Sequence, residues 1–172
     1  MRIRTTLAAT ALVSLASGAA VAPAETGRHA DQKITAAGVG KVKVGKTFTS
    51  LRAAGLVGKL RPGCPLAGAN TRSARLRAPL KGSVDLTTQT PRKVRSISIT
   101  GGATARGVGI GGTIAQITAA YPKARVNHGP EETFGITLVT APKNGGGRIS
   151  FAVDVDSQQI TQIGVPFIPF CE

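Results

Sequence analysis

Apolar and polar positions alternate with a period of two over residues 83–87, 133–140 and 148–154. That period predicts strands with one buried face. Phe134, Ile136 and Leu138 fall on one face of the second stretch, and Ile149, Phe151 and Val153 on one face of the third. Residues 93–100 are rich in β-branched side chains, and 160–165 end at Pro166 and Pro169, so both read as strands. Residues 76–80 read as a short extended piece that Pro79 interrupts. Residues 56–75 carry Gly58, Pro62, Gly63, Pro65, Gly68 and Asn70 and read as an irregular loop, as does the polar stretch 123–132.

One pattern occurs twice. Residues 42–54 and 108–120 share Val, Gly, Thr, Ala and Ala at 42/108, 45/111, 47/113, 53/119 and 54/120, a constant 66 residues apart. Val44/Ile110, Phe48/Ile114 and Leu51/Ile117 match in kind. Each copy reads as a short strand, a glycine that permits positive φ, a threonine N-cap and a short amphipathic helix. Phe48, Leu51 and Ala54, and likewise Ile114, Ile117 and Ala120, mark one helix face. Gln116 three residues after Thr113 makes a capping box. Gly55 ends the first helix and Pro122 the second. Helices this short need a sheet to lie on. The expectation is an α+β fold: a tandem repeat of strand-turn-helix followed by two or three antiparallel strands, with helices on one face of the sheet. The modules are 34–100 and 101–172 within one domain, 34–172.

The first residues change the picture of where the chain works. Met-Arg-Ile-Arg precedes an apolar run from Leu7 to Val21, then Ala22-Pro23-Ala24. This reads as a signal peptide at 1–24, cleaved after Ala24, with a loose tail at 25–33 that carries His29. The expected location is therefore secreted. In that setting Cys64 and Cys171, an even pair, are expected to form a disulfide.

Charge is one-sided. Residues 41–95 hold thirteen basic side chains and a single acid, Asp85, whereas residues 96–172 hold five of each. Basic side chains gathered on a face attract polyanions. Lys41, Lys43, Arg72, Arg75, Arg77, Arg92, Lys93 and Arg95 form the candidate anion-binding surface. Aromatic residues are nearly absent from this segment, which argues against a dedicated nucleic-acid site.

Residues 40–47 spell Gly-Lys-Val-Lys-Val-Gly-Lys-Thr, which fits the phosphate-binding pattern G-x-x-x-x-G-K-[ST]. The middle Lys-Val-Lys-Val favours a strand over a cradle, and the second copy lacks the lysine, so the reading is a helix-opening turn. His29 and His128 lack ligand-spaced partners and read as solvated. Glu131-Glu132 and Asp154/Asp156 lie at turns, where solvated acids are ordinary. No catalytic residue, metal ligand or cofactor site is predicted.

Residues 105–113 read Ala-Arg-Gly-Val-Gly-Ile-Gly-Gly-Thr, the helix ends Ala-Ala-Tyr-Pro, and 148–163 read Arg-Ile-Ser-Phe-Ala-Val-Asp-Val-Asp-Ser-Gln-Gln-Ile-Thr-Gln-Ile. This layout resembles secreted proteins of Gram-positive actinobacteria, in which a Gly-x-x-x-Gly-x-Ser/Thr turn opens a helix ending Ala-Tyr-Pro. A hairpin closing on x-x-Val-Thr-x-Ile completes their unit, and Lys93-Val94-Arg95-Ser96-Ile97 echoes it. The arrangement is also similar to the β-lactamase-inhibitor-protein fold, whose module small outer-membrane assembly lipoproteins share. The resemblance implies architecture. The inhibitor family's recognition residues have no counterpart here.

Together these patterns predict a secreted, non-catalytic monomer whose basic surface binds an anionic polymer, a membrane surface or a protein. The alternative is an extracytoplasmic enzyme with an unrecognised site.

Overall fold

The computed structural model describes residues 32–65, 68, 70–142 and 147–170. The expected signal peptide, most of the expected tail with His29, and Cys171 lie outside the described residues. The architecture is α+β and mostly sheet. In chain order the described elements are β1 (Gln32–Thr35), β2 (Gly38–Val39), β3 (Val42–Lys43), α1 (Phe48–Ala53), β4 (Val57–Pro62), β5 (Arg72–Leu76), β6 (Lys81–Leu86), β7 (Val94–Gly101), β8 (Ala103–Thr104), α2 (Ile114–Ala120), β9 (Arg125–Asn127), α3 (Glu131–Phe134), β10 (Ile136–Pro142), β11 (Arg148–Asp154) and β12 (Ile160–Val165). The small sheet has the order β3-β2-β1-β8 and the large one β4-β5-β6-β7-β12-β11-β10-β9. β1 pairs with β8 in parallel, and all large-sheet pairs are antiparallel.

Each main helix is followed by four strands of the large sheet, not two or three, and β4, most of β5 and β9 fall in stretches expected to be loop. β4 and β9 are sheet edges. An edge strand has a partner on one side only, so glycine, proline and charge are tolerated there and the alternation fades. β4 also shifts register between Val57 and Leu60. Residues 76–80 are not an extended piece. β5 ends at Leu76, and Leu80 N–H donates to the Arg77 carbonyl in a turn.

The two similar segments take the same local geometry. Gly45 and Gly111 have φ of 83° and 82°. Thr47 Oγ1 accepts from Ser50 N–H at 3.3 Å, and Thr113 Oγ1 from Gln116 N–H at 3.4 Å, with the Gln116 side chain closing the capping box. Leu51 and Ile117 are buried. Val44 and Ile110, expected on the buried strand face, stand 37% and 39% exposed. β3 ends at Lys43, and the strand expected in the second segment does not form, Val108 making only an isolated bridge with Ala105; of these positions only Val42 and Val108 reach the core. Gly45 N–H donates to the Val94 carbonyl and Gly111 N–H to that of Ile160. Val94 and Ile160 N–H return to the carbonyls of Lys46 and Gly112.

One continuous core runs under the large sheet. Ala74, Leu76, Val84, Leu86, Ile97 and Ile99 join Val139, Ala141, Ile149, Phe151, Val153, Ile163 and Val165, and Leu51 and Ile117 pack into the same cluster. In β10 the buried positions are Thr137, Val139 and Ala141, because Val139 pairs with Phe151 and Ala141 with Ile149. Ile136 and Leu138 face the other way and are half-buried, and Phe134 belongs to α3.

The second face of the sheet is partly covered by residues 166–170. Ser150 Oγ donates to the Pro166 carbonyl at 3.2 Å, and Ile168 is buried. A Cβ on Gly164 would lie 2.5 Å from Ile168 and 2.6 Å from Phe167, so glycine is what lets this segment lie on the strand. Phe170 stacks on Phe134 at 4.9 Å, and its carbonyl oxygen lies 3.7 Å from Sγ of the buried Cys64.

Candidate functional site

The expected basic surface divides into separate groups. Ser73 and Arg75 alternate onto the second face of the large sheet, away from buried Ala74 and Leu76, and Arg77 follows the end of β5. On the neighbouring edge strand, Arg61 pairs with Ser73, and Lys59 lies in the register shift between Val57 and Leu60. Lys59, Arg61, Arg75 and Arg77 are all exposed. Sequence reading did not single out Lys59 or Arg61, because it took 56–75 as loop and strand phase was invisible there.

The remaining members lie elsewhere. Lys41 and Lys43 belong to the β2–β3 hairpin of the small sheet, and Lys93 bridges to Thr47 beside α1. Arg72 Nη1 donates to the Thr71 carbonyl at 2.8 Å. The Arg95 guanidinium sits 5.5 Å from the Phe167 ring centre, so it helps hold the C-terminal segment. Next to it, Asp85 is buried and accepts from Ser96 Oγ at 3.0 Å. Burial pushes the Asp85 carboxyl above its usual range, against the opposing pull of Ser96 and Arg95.

The turn at 40–47 is not a phosphate cradle. Gly45 N–H is engaged by Val94 at 2.8 Å and Lys46 N–H by Lys43 at 3.2 Å, so these amides are not free to converge on an anion. His128 is 69% exposed, and its Nδ1 lies 2.5 Å from Glu131 Oε1. Thr137 Oγ1 donates to the same oxygen. The Thr137 and His128 hydrogen bonds hold the exposed Glu131 carboxyl below its usual range. Asp154 is likewise lowered by the Ser157 backbone and hydroxyl, as a turn-closing acid. Among the described residues, no group of three or more His, Cys, Asp and Glu side chains is placed to hold a metal.

A cleft that the sequence did not announce opens between the small sheet and the C-terminal half. It encloses about 560 Å³. Its apolar wall includes Ile34, Ala141 and Ile149, and its rim carries Lys33, Arg106 and Lys123 with no acidic residue among the described residues. These side chains come from five separate segments, so no sequence window contains the cleft.

Neither a family model, nor a curated protein, nor a solved structure matches this chain.

Proposed function

We propose that this is a secreted, non-catalytic binding protein that recognises an anionic polymer of the cell envelope through the β4–β5 end of its large sheet. The observation that carries the reading is the set of four exposed cations, Lys59, Arg61 and Arg75 on the paired strands β4 and β5 and Arg77 just past the end of β5. Extended strands set such charges at a regular spacing, which suits a repeating polyanion better than a compact ligand. The one acid of this segment, Asp85, is buried against Ser96 and Arg95 and is not exposed among these cations.

We further propose that the chain is a tandem repeat with both main helices on one face of the sheet, as in the β-lactamase-inhibitor-protein-like architecture. Support comes from paired hydrogen bonds, 45 to 94 and 111 to 160, that preserve the 66-residue spacing. The central pair supports it too: Ile97 meets Val165, Ser98 meets Gly164 and Ile99 meets Ile163, so each contact exchanges with its equivalent under that spacing. We also propose the disulfide Cys64–Cys171, supported by the place of Phe170 beside Cys64.

Co-sedimentation of mature protein with isolated envelope polymer tests the binding function. Binding at low salt that is lost as salt rises is expected, because displaced counterions are taken up again. Binding that salt does not weaken, or no binding at low salt, contradicts it.

A further inference from the structure

The turn opening the second similar segment breaks a local rule. Ala105 and Val108 exchange backbone hydrogen bonds across a two-residue turn, Arg106-Gly107, with both φ positive, at 53° and 82°. Such turns favour Asn-Gly or Gly-Gly. At the position 66 residues earlier, where φ is 50°, stands Gly40. An arginine held in the left-handed region is strained, and strain of this kind marks positions where the side chain has a task.

The Arg106 side chain is fixed over the cleft. Its Nη1 donates to the Ala120 carbonyl at the end of α2 at 2.9 Å, and its guanidinium lies 4.8 Å from the Tyr121 ring centre. That leaves most of its five donors for other partners. Tyr121 is braced in turn by Phe151, with ring centres 5.9 Å apart. Lys33 and Lys123 complete a rim of three cations, and Ile34 and Ile149 supply a buried apolar wall. A cationic rim over an apolar wall matches a ligand with an anionic head and an apolar body.

We propose that this cleft binds a small amphiphilic anion, a carboxylate or phosphate joined to an aliphatic body, with Arg106 as the principal head-group contact. The site is separate from the β4–β5 face and independent of the polymer-binding reading.

Tyr121 is the sole tyrosine of a chain without tryptophan, so intrinsic fluorescence reports on the cleft directly. Mature protein is titrated with decanoate, decyl phosphate, decylamine and inorganic phosphate, the amphiphiles below their micelle concentrations. Saturation by decanoate or decyl phosphate supports the proposal, and the tighter of the two names the head group. Arg106→Asn suits the turn, so it is expected to keep the melting temperature while weakening binding about tenfold or more. Lys123→Gln, an exposed change, gives a second reading that does not depend on the turn. Charge reversal at Arg61, Arg75 and Arg77 is expected to leave decanoate binding intact even as polymer binding is lost. Decylamine binding as tightly as decanoate would overturn the proposal, as would unchanged affinity in both cleft variants. Inorganic phosphate binding as tightly as decyl phosphate would overturn the amphiphile assignment.

Discussion

The two halves of the large sheet share a backbone plan and differ in what they display on its second face. In the first half one row across the strands reads Arg61, Ser73, Asp85, Ser96. The corresponding row of the second half reads Asn127, Leu138, Ala152, Gln162. The next row has Arg75, Ser83, Ser98 against Thr140, Ser150, Gly164. Core positions, caps and turn glycines are matched between the halves, whereas charge is not. Packing constrains the buried face of both halves, because the side chains there must fill one shared core. The second face is under no such common demand, so its cations are where partner recognition is to be sought.

The largest expected effects test whether the halves are held alike. Leu51→Ala and Ile117→Ala each remove a buried side chain from equivalent places and should each cost about 2–5 kcal/mol, read by chemical denaturation. A large cost at one and a negligible cost at the other would break the equivalence. Cys64 belongs to the first half alone. Cys64→Ser should cost about 2–5 kcal/mol in oxidised protein and far less in reduced protein. Non-reducing peptide mapping should join Cys64 to Cys171, and two alkylatable thiols in natively secreted protein would refute the bond.

Smaller effects sharpen the comparison at the caps. Thr47→Ala and Thr113→Ala should each cost about 1 kcal/mol. Thr113 should cost the more, because its loss also frees Gln116 from the capping box. A greater loss at Thr47 would contradict the assigned roles.

These positions were legible in the sequence because local rules set them: helix limits, cap residues and the strands 148–154 and 160–165 all follow from period, glycine and threonine. Both edge strands escaped. In β9, Arg125, Val126 and Asn127 are all exposed, so no buried face wrote a period into the sequence. The face of β10 was misread because Phe134 continues the alternation on paper yet lies in α3, ahead of the left-handed Gly135 at φ 64°. Charge excess located the basic segment, but only strand phase could say that Arg61 and Arg75 share a face. The cleft was illegible for a different reason: Lys33, Arg106, Lys123 and Ile149 meet only through tertiary packing.

The smallest effect concerns Asp85, whose counterpart in the second half is Ala152. A carboxyl whose folded pKa stands above its unfolded value binds its proton more readily in the folded chain. Its ionisation therefore costs stability as pH rises through the folded pKa, and the cost is absent below the unfolded value. Asp85→Asn keeps an acceptor for Ser96 and removes the charge. Its melting temperature should exceed that of the parent at pH 7, and the gain should shrink as pH falls toward about 4. A gain that grows on acidification would contradict the burial argument.

The central claim is that binding resides on one face of the first half and not in net charge. Retention on phosphocellulose across a salt gradient tests it with two variants carrying equal numbers of reversals. One reverses Lys59, Arg61, Arg75 and Arg77, and the other reverses the exposed Lys46, Arg52, Arg125 and Arg148. The first set should elute at much lower salt than the second. Equal elution of the two would show that overall charge alone holds the protein to the matrix, and would contradict the account.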